Sequence, residues 1–179
     1  MVTMTVGGGV TGSIVFNLKG DLAPITVDNF LAYVNSGFYT NLIINRVAHQ
    51  TVPLSGPEYF IVQGGGYGAA NSGTLPTPKT TTFAPITLET AGGNNVQWTV
   101  AMARTQDANS ATSQFFFNVL DDTTAFGSTY AVFADVSTSA AVITRITQAP
   151  CTELVGTGLT DGSCVPIPNV VITSATQTQ

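Results

Sequence analysis

The chain has 179 residues, enough for one domain with a sizeable core, and it is 44% hydrophobic but only 8% charged. Five Lys and Arg against ten Asp and Glu leave a formal net charge of −5, which argues against a nucleic-acid binder, because that role needs a basic face. No apolar run approaches a membrane span, and the start lacks the basic-then-apolar pattern of a signal peptide, so a cytosolic protein or a trimmed mature form is expected.

Along the chain, "GSIVFNLKG" (12–20) reads as a strand, with Ile14, Phe16 and Leu18 alternating with Ser13, Val15 and Asn17. Pro24 closes it, and Thr26 is the expected N-cap of an amphipathic helix with Asp28 in its first turn. Val27, Phe30, Leu31 and Val34 form the apolar stripe of that helix, and Gly37 supplies its stop. Strands follow at 41–47, 59–63, 97–103, 114–120 and 130–136. A second helix fits 138–147, with Ala141, Val142 and Ile146 facing inward, and "VPIPNVVITSA" (165–175) gives a last strand. The long Gly/Asn/Thr/Pro segments 64–84 and 91–95 suit functional loops better than plain connectors. No repeat or linker divides the chain, so a single domain over 1–179 is expected, an antiparallel β-barrel or sandwich with two helices able to plug a barrel's ends.

Polar catalysis is hard to assemble from these residues. The only histidine, His49, lies in a Pro-containing excursion with no nucleophile motif beside it, and reads as a solvated loop residue. Asp121 and Asp122 read as a turn, and no metal-ligand set is present. Gly64, Gly65 and Gly66 lack the lysine and following helix of a phosphate loop. Cys151 and Cys164 enclose "CTELVGTGLTDGSC", and two readings stand. One is a disulfide, contributing roughly 3 kcal/mol by loop entropy and leaning toward an exported protein; the other is a pair of separate buried thiols. Any reaction here should rest on shape and hydrogen bonds, with no cofactor.

The ordered set "GSIVFNL", "APITVDNFLAYVNSGFY", "NRV", "FIVQGGG", "PITLE", "VAMAR", "SATSQFFFNV", "YAVFADV" and "VPIPNVVITSA" resembles the cyclophilin-type peptidyl-prolyl cis-trans isomerases from about residue 12 to 175. The resemblance implies a closed eight-stranded antiparallel barrel capped by two helices. It also implies a cofactor-independent isomerase acting on proline-containing peptides and on unfolded or partly folded proteins. By the same resemblance Arg46 is the catalytic arginine, and Phe60, Ile61 and Gln63 belong to the proline pocket, with Gln63 placed to brace Arg46. Ala103, Arg104 and Thr105 match the segment that binds the substrate backbone. Gln114 and Phe116 come from the SQFF piece, and Tyr130 stands where many members carry a histidine.

Four departures stand out. The family's Phe-His-Arg is Ile44–Asn45–Arg46 here, and its pocket methionine is Ile61, a stiffer side chain. Residues 48–59 form a longer excursion than the family's short connection, and their role is open. The tryptophan associated with cyclosporin binding has no clean counterpart: Phe126 fits with a gap, Ala125 without one, and Trp98 lies elsewhere. Weak cyclosporin binding is therefore expected. A proline-peptide binding module that has lost turnover is the alternative to an active enzyme, and a purely structural role through the long loops is a third reading. A monomer is expected, in a periplasmic or secreted location in preference to the cytoplasm.

Overall fold

The structure, a computed structural model, describes residues 1–52, 56–70, 73–156 and 162–178, with backbone alone for 50–52, 56 and 57. Ten strands are present among the described residues: β1 (Val2–Gly8), β2 (Gly12–Leu18), β3 (Ile44–Val52), β4 (Gly56–Gly64), β5 (Thr99–Met102), β6 (Phe115–Asn118), β7 (Val132–Asp135), β8 (Cys151–Glu153), β9 (Cys164–Pro166) and β10 (Val170–Gln177). Three helices interrupt them: α1 (Pro24–Asn35), a single-turn α2 (Thr123–Phe126) and α3 (Ala140–Thr147).

The sheet runs β10-β1-β2-β7-β5-β6-β4-β3-β9-β8 with antiparallel pairing throughout. The eight strands from β10 to β3 meet again at their ends. Ile43 bridges Val171, Asn41 N donates to Ile172 O over 2.8 Å, and Ile172 N returns a bond to Leu42 O over 2.7 Å. Joining the ends removes the exposed edges an open sheet would present. The β8–β9 pair hangs from β3 as an appendage outside this ring, through Val47 opposite Cys164.

Alternation decides which residues fill the ring. Val2, Met4 and Val6 of β1, Ile14 and Phe16 of β2, and Phe115 and Phe117 of β6 all point into one interior cluster. From α1 come Phe30, Tyr33 and Val34, and from α3 Ile143 and Ile146, so both helices cap the barrel by the same burial. Phe16, Phe30, Phe115 and Phe133 are fully buried, with centroids 5.0–5.9 Å apart in tilted and edge-on pairs. Truncating one of them to alanine should cost about 3–5 kcal/mol.

Several expectations need correction. The 48–59 excursion is no irregular loop: β3 and β4 continue as one hairpin, pairing His49 with Tyr59, Gln50 with Glu58 and Val52 with Gly56, while 53–55 lie outside the described residues. Helix α1 begins three residues early, with Pro24 in its first turn, where the missing N–H costs nothing, and Ala23 as its N-cap. Thr26 is instead buried inside the helix, and Glu89 does the capping from afar. Its carboxylate accepts Ile25 N (3.2 Å), Thr26 N (2.7 Å) and the Thr26 hydroxyl (2.7 Å). In α3, Ala141 is exposed and Ile143 takes the inward position. The single strand read over 165–175 is two, β9 and β10. Cys151 and Cys164 are joined as a disulfide.

Candidate active site

The site sits on the outer face of the barrel wall, set by the same alternation that builds the core. Ile61 lies outside and Val62 inside; Ala101 and Ala103 lie outside and Val100 and Met102 inside; Phe116 lies outside between Phe115 and Phe117. These outward residues, with Ala48 and Val132, form a second apolar cluster against which Phe60, Ala103, Phe126 and Tyr130 pack.

A slip in the ladder carries Arg46 to this face. Ile44 pairs with Gly64, yet Arg46 pairs with Gln63, so Asn45 is an extra residue in β3. Two residues apart on a regular strand would share a face; here Ile44 enters the interior cluster while Arg46 lines the outer pocket. Asn45 itself is buried, in the position the resemblance gives to a histidine.

A chain of hydrogen bonds then fixes the guanidinium. Arg46 Nη1 donates to Gln63 Oε1 at 3.0 Å, Gln63 Nε2 donates to Gln114 Oε1 at 3.0 Å, and Arg46 Nε donates to Ser163 Oγ at 2.7 Å. The glycine run makes room for this chain. Gly65 has φ +89°, and a Cβ there would meet Ser113 O at 2.8 Å; a Cβ on Gly66 would stand 2.5 Å from Gln114 Cδ. Only bare backbone lets the Gln114 side chain lie where Gln63 can reach it.

The resulting pocket, about 240 Å³, is lined by Arg46, Phe60, Ile61, Gln63, Ala103, Arg104, Phe116, Phe126 and Tyr130. Its floor is a cluster of three rings: Phe116 to Phe126 is 5.8 Å, Phe116 to Tyr130 is 5.2 Å and Phe126 to Tyr130 is 5.2 Å, all edge-on. Arg104 holds one side in place, its Cζ 4.9 Å from the Tyr130 ring centroid and its Nε donating to Thr129 O at 2.8 Å. Of the two positions open for the family tryptophan, Phe126 is in the pocket wall and Ala125 is not. Trp98 packs against the barrel interior instead.

Two of the expected residues, Thr105 and Gln114, do not line this pocket. They line an adjoining recess of about 180 Å³ that shares Gln63, Ala103 and Arg104 with it and adds Ser110 and Thr112. Thr105 is engaged there with Ser110, its N–H donating to Ser110 Oγ at 2.9 Å. Ser163 was missed by sequence reasoning, since nothing local marks a serine 117 positions from the arginine it anchors. His49 is also corrected. It lies in β3, partly buried, its ring 5.4 Å from Tyr59.

The ingredients suit a reaction without proton transfer: an aromatic-floored cavity about the size of a small ring, with a permanently charged multi-donor group in its wall. Among the described residues no cluster of His, Cys, Asp or Glu could hold a metal ion, and no helix is long and apolar enough to cross a membrane.

The family model for cyclophilin-type peptidyl-prolyl cis-trans isomerases matches residues 1–177. A peptidyl-prolyl cis-trans isomerase of Streptomyces antibioticus is 40% identical over 173 residues, covering 92% of each chain. Isomerase A of Dickeya dadantii is 38% identical, covering 92% of this chain and 78% of its own; isomerase B of Escherichia coli is also 38% identical, covering 75% and 78%. In fold, the chain is similar to a cyclophilin-type isomerase of Cryptosporidium parvum crystallised in the presence of the dipeptide Ala-Pro. The TM-score is 0.67 at 20% identity, covering 99% of this chain and 98% of the other.

Proposed function

Since the chain belongs to the cyclophilin-type peptidyl-prolyl cis-trans isomerases, a family of enzymes, we propose that it turns over X–Pro bonds with Arg46 as the transition-state donor and the aromatic pocket as the proline receptor. The bond to be rotated carries a barrier of roughly 18–20 kcal/mol, because twisting the amide breaks its resonance. In the twisted state the prolyl nitrogen becomes pyramidal and gains a lone pair that the planar ground state does not offer. A donor aimed at that region binds the transition state better than the substrate, which is the condition for acceleration. A thousandfold gain asks for about 4 kcal/mol, within reach of one fixed cationic donor and a shaped pocket.

In this reading Phe60, Ile61, Phe116, Phe126 and Tyr130 grip the pyrrolidine ring, so rotation is confined to the residue before it. Gln63 and Ser163 hold the guanidinium directly and Gln114 holds Gln63, so all three act as positioning residues for Arg46. The recess bounded by Ala103, Arg104, Thr105 and Gln114 receives the chain preceding the proline. The hydrogen-bonded path from Ser163 through Arg46 and Gln63 to Gln114 is the observation that carries this assignment. Cis–trans exchange of short X–Pro peptides, followed by NMR, tests it. Catalytic amounts of the protein should broaden the exchanging lines, and a rate equal to the uncatalysed background would end the proposal.

The protein works, on this account, as a monomer on exposed X–Pro segments of folding polypeptides, in an oxidising periplasmic or extracellular compartment. The Cys151–Cys164 disulfide supports that location, since such bonds persist where thiols are not kept reduced. Recovering the protein mainly from cytoplasmic fractions with both thiols free would contradict it.

A further inference from the structure

Beside the proline pocket lies a recess of about 410 Å³ that the isomerase reading leaves unused. It shares two walls with that pocket, Phe60 and Phe126, so the two cavities adjoin. Leu120 and Ala125 add to its apolar lining, and the rest is acidic: Glu58 from β4, and Asp121 and Asp122 between β6 and α2. None of the chain's five Lys and Arg residues lines it. Three carboxylates are thus gathered around one opening without a cation of the protein among the lining residues.

Asp122 is the informative member. Only 7% of its surface is exposed, and its Oδ2 is buried with no hydrogen-bond partner among the described residues. Although it is the N-cap residue of α2, its side chain makes no capping bond. Leaving such a group unsatisfied costs stability, and carboxylates so placed tend to mark functional sites. Burial first, then Asp121 beside it and Glu58 from β4, push its carboxyl up to about 7; these two are the titratable groups that face it. Asp121 and Glu58 are themselves exposed, so the recess has an acidic rim and an acidic floor.

We propose that this recess is a specificity subsite for a Lys or Arg side chain of the substrate, a few residues from the proline held next door. The polarity is graded for such a guest. An alkyl stem can lie along Phe60 and Phe126 while its cationic head reaches the three carboxylates, as long basic side chains do at apolar–polar borders. A metal ion fits less well, because among the described residues no cluster has ligand geometry. The arriving cation also favours the ionised form of Asp122, so binding near neutral pH releases a proton.

This inference rests on the isomerase reading for where the proline sits, and the test keeps the two apart. Peptides bearing one X–Pro bond carry lysine, norleucine or glutamate at each of the three positions on either side of it. Both kcat/KM and the dissociation constant are measured for wild type, Asp122→Asn and the Glu58→Gln/Asp121→Asn double variant. At one position the wild type should favour lysine over norleucine at least threefold at pH 8 and low salt, less at pH 6, with glutamate worst. Both variants should bring the lysine-to-norleucine ratio toward one; the double variant changes exposed residues and serves if Asp122→Asn folds poorly. Equal values for lysine and norleucine at every position overturn the subsite even if all peptides are turned over. A lysine preference in the dissociation constants without turnover upholds the subsite and overturns the catalytic reading. Loss of the preference on adding millimolar calcium, with saturable calcium binding to the protein alone, would make the recess a metal site and also overturn the proposal.

Discussion

Arg46 and Gln63 stand opposite each other across the β3–β4 ladder, Nη1 to Oε1 at 3.0 Å, because β3 carries one extra residue, Asn45, just before the arginine. That slip turns a side chain which would have shared the buried face of Ile44 onto the pocket face. The place of the guanidinium is thus set by a backbone irregularity and held by Gln63 and Ser163.

The two glycines behind the pocket should fail differently when given a methyl group. Gly66→Ala pushes into the Gln114 side chain, whose far end can move aside, so the fold should survive while the brace on Gln63 loosens. A fall in kcat/KM of about fivefold is expected, with a small change in Tm. Gly65→Ala meets backbone at a positive φ and should chiefly lower stability, by about 1–3 kcal/mol. Thermal denaturation and peptide kinetics on both variants check the contrast; matching losses of stability would contradict it.

The disulfide and the active site should be coupled through Ser163, which neighbours Cys164 and accepts from Arg46 Nε. Ser163→Ala should lower kcat/KM about fivefold while leaving peptide affinity nearly unchanged, as expected of a positioning residue. Opening the loop by Cys151→Ser should cost roughly 3 kcal/mol of stability by chain entropy, with a smaller loss of activity. Urea denaturation under oxidising and reducing conditions reads the first quantity directly.

Stability should fall as pH rises from about 4 to about 7, through Asp122, the one carboxyl among the described residues that is displaced upward. Unfolded, Asp122 loses its proton near the ordinary carboxylate range; folded, it keeps it until about 7. Between those values the folded state binds more protons, so its advantage shrinks with each step up in pH. Asp122→Asn should remove this slope and raise stability at pH 8 by on the order of 2 kcal/mol, allowing for solvent screening in the open recess. An Asn variant with the same pH profile as wild type would show that Asp122 titrates normally.

Much of this was legible in the sequence because period and burial agree. Ile14 and Phe16 alternate with Ser13, Val15 and Asn17 and enter the core, whereas Phe116, between two more phenylalanines, is placed at the pocket by the resemblance alone. The first strand carries an equally plain signal in the alternation of Val2, Met4 and Val6. The excursion at 48–59 suggests a loop through its prolines and glycine, whereas Gly56 and Pro57 pair as strand with Val52 and Thr51. What local sequence could not carry are the long-range partners. Glu89 caps a helix 63 residues earlier, Ser163 anchors Arg46 from 117 away, and Asp122 differs from Asp121 only by tertiary burial.

The most direct measurement is the kcat of X–Pro isomerisation for wild type, Arg46→Lys and Arg46→Ala, alongside peptide dissociation constants. If Arg46 acts on the twisted amide, Arg46→Ala should lose about 10²–10³-fold in kcat with little change in affinity. Arg46→Lys should recover only part of it, since an ammonium lacks the planar fork that Gln63 and Ser163 hold in place. Wild-type kcat retained in a folded Arg46→Ala variant would contradict the account.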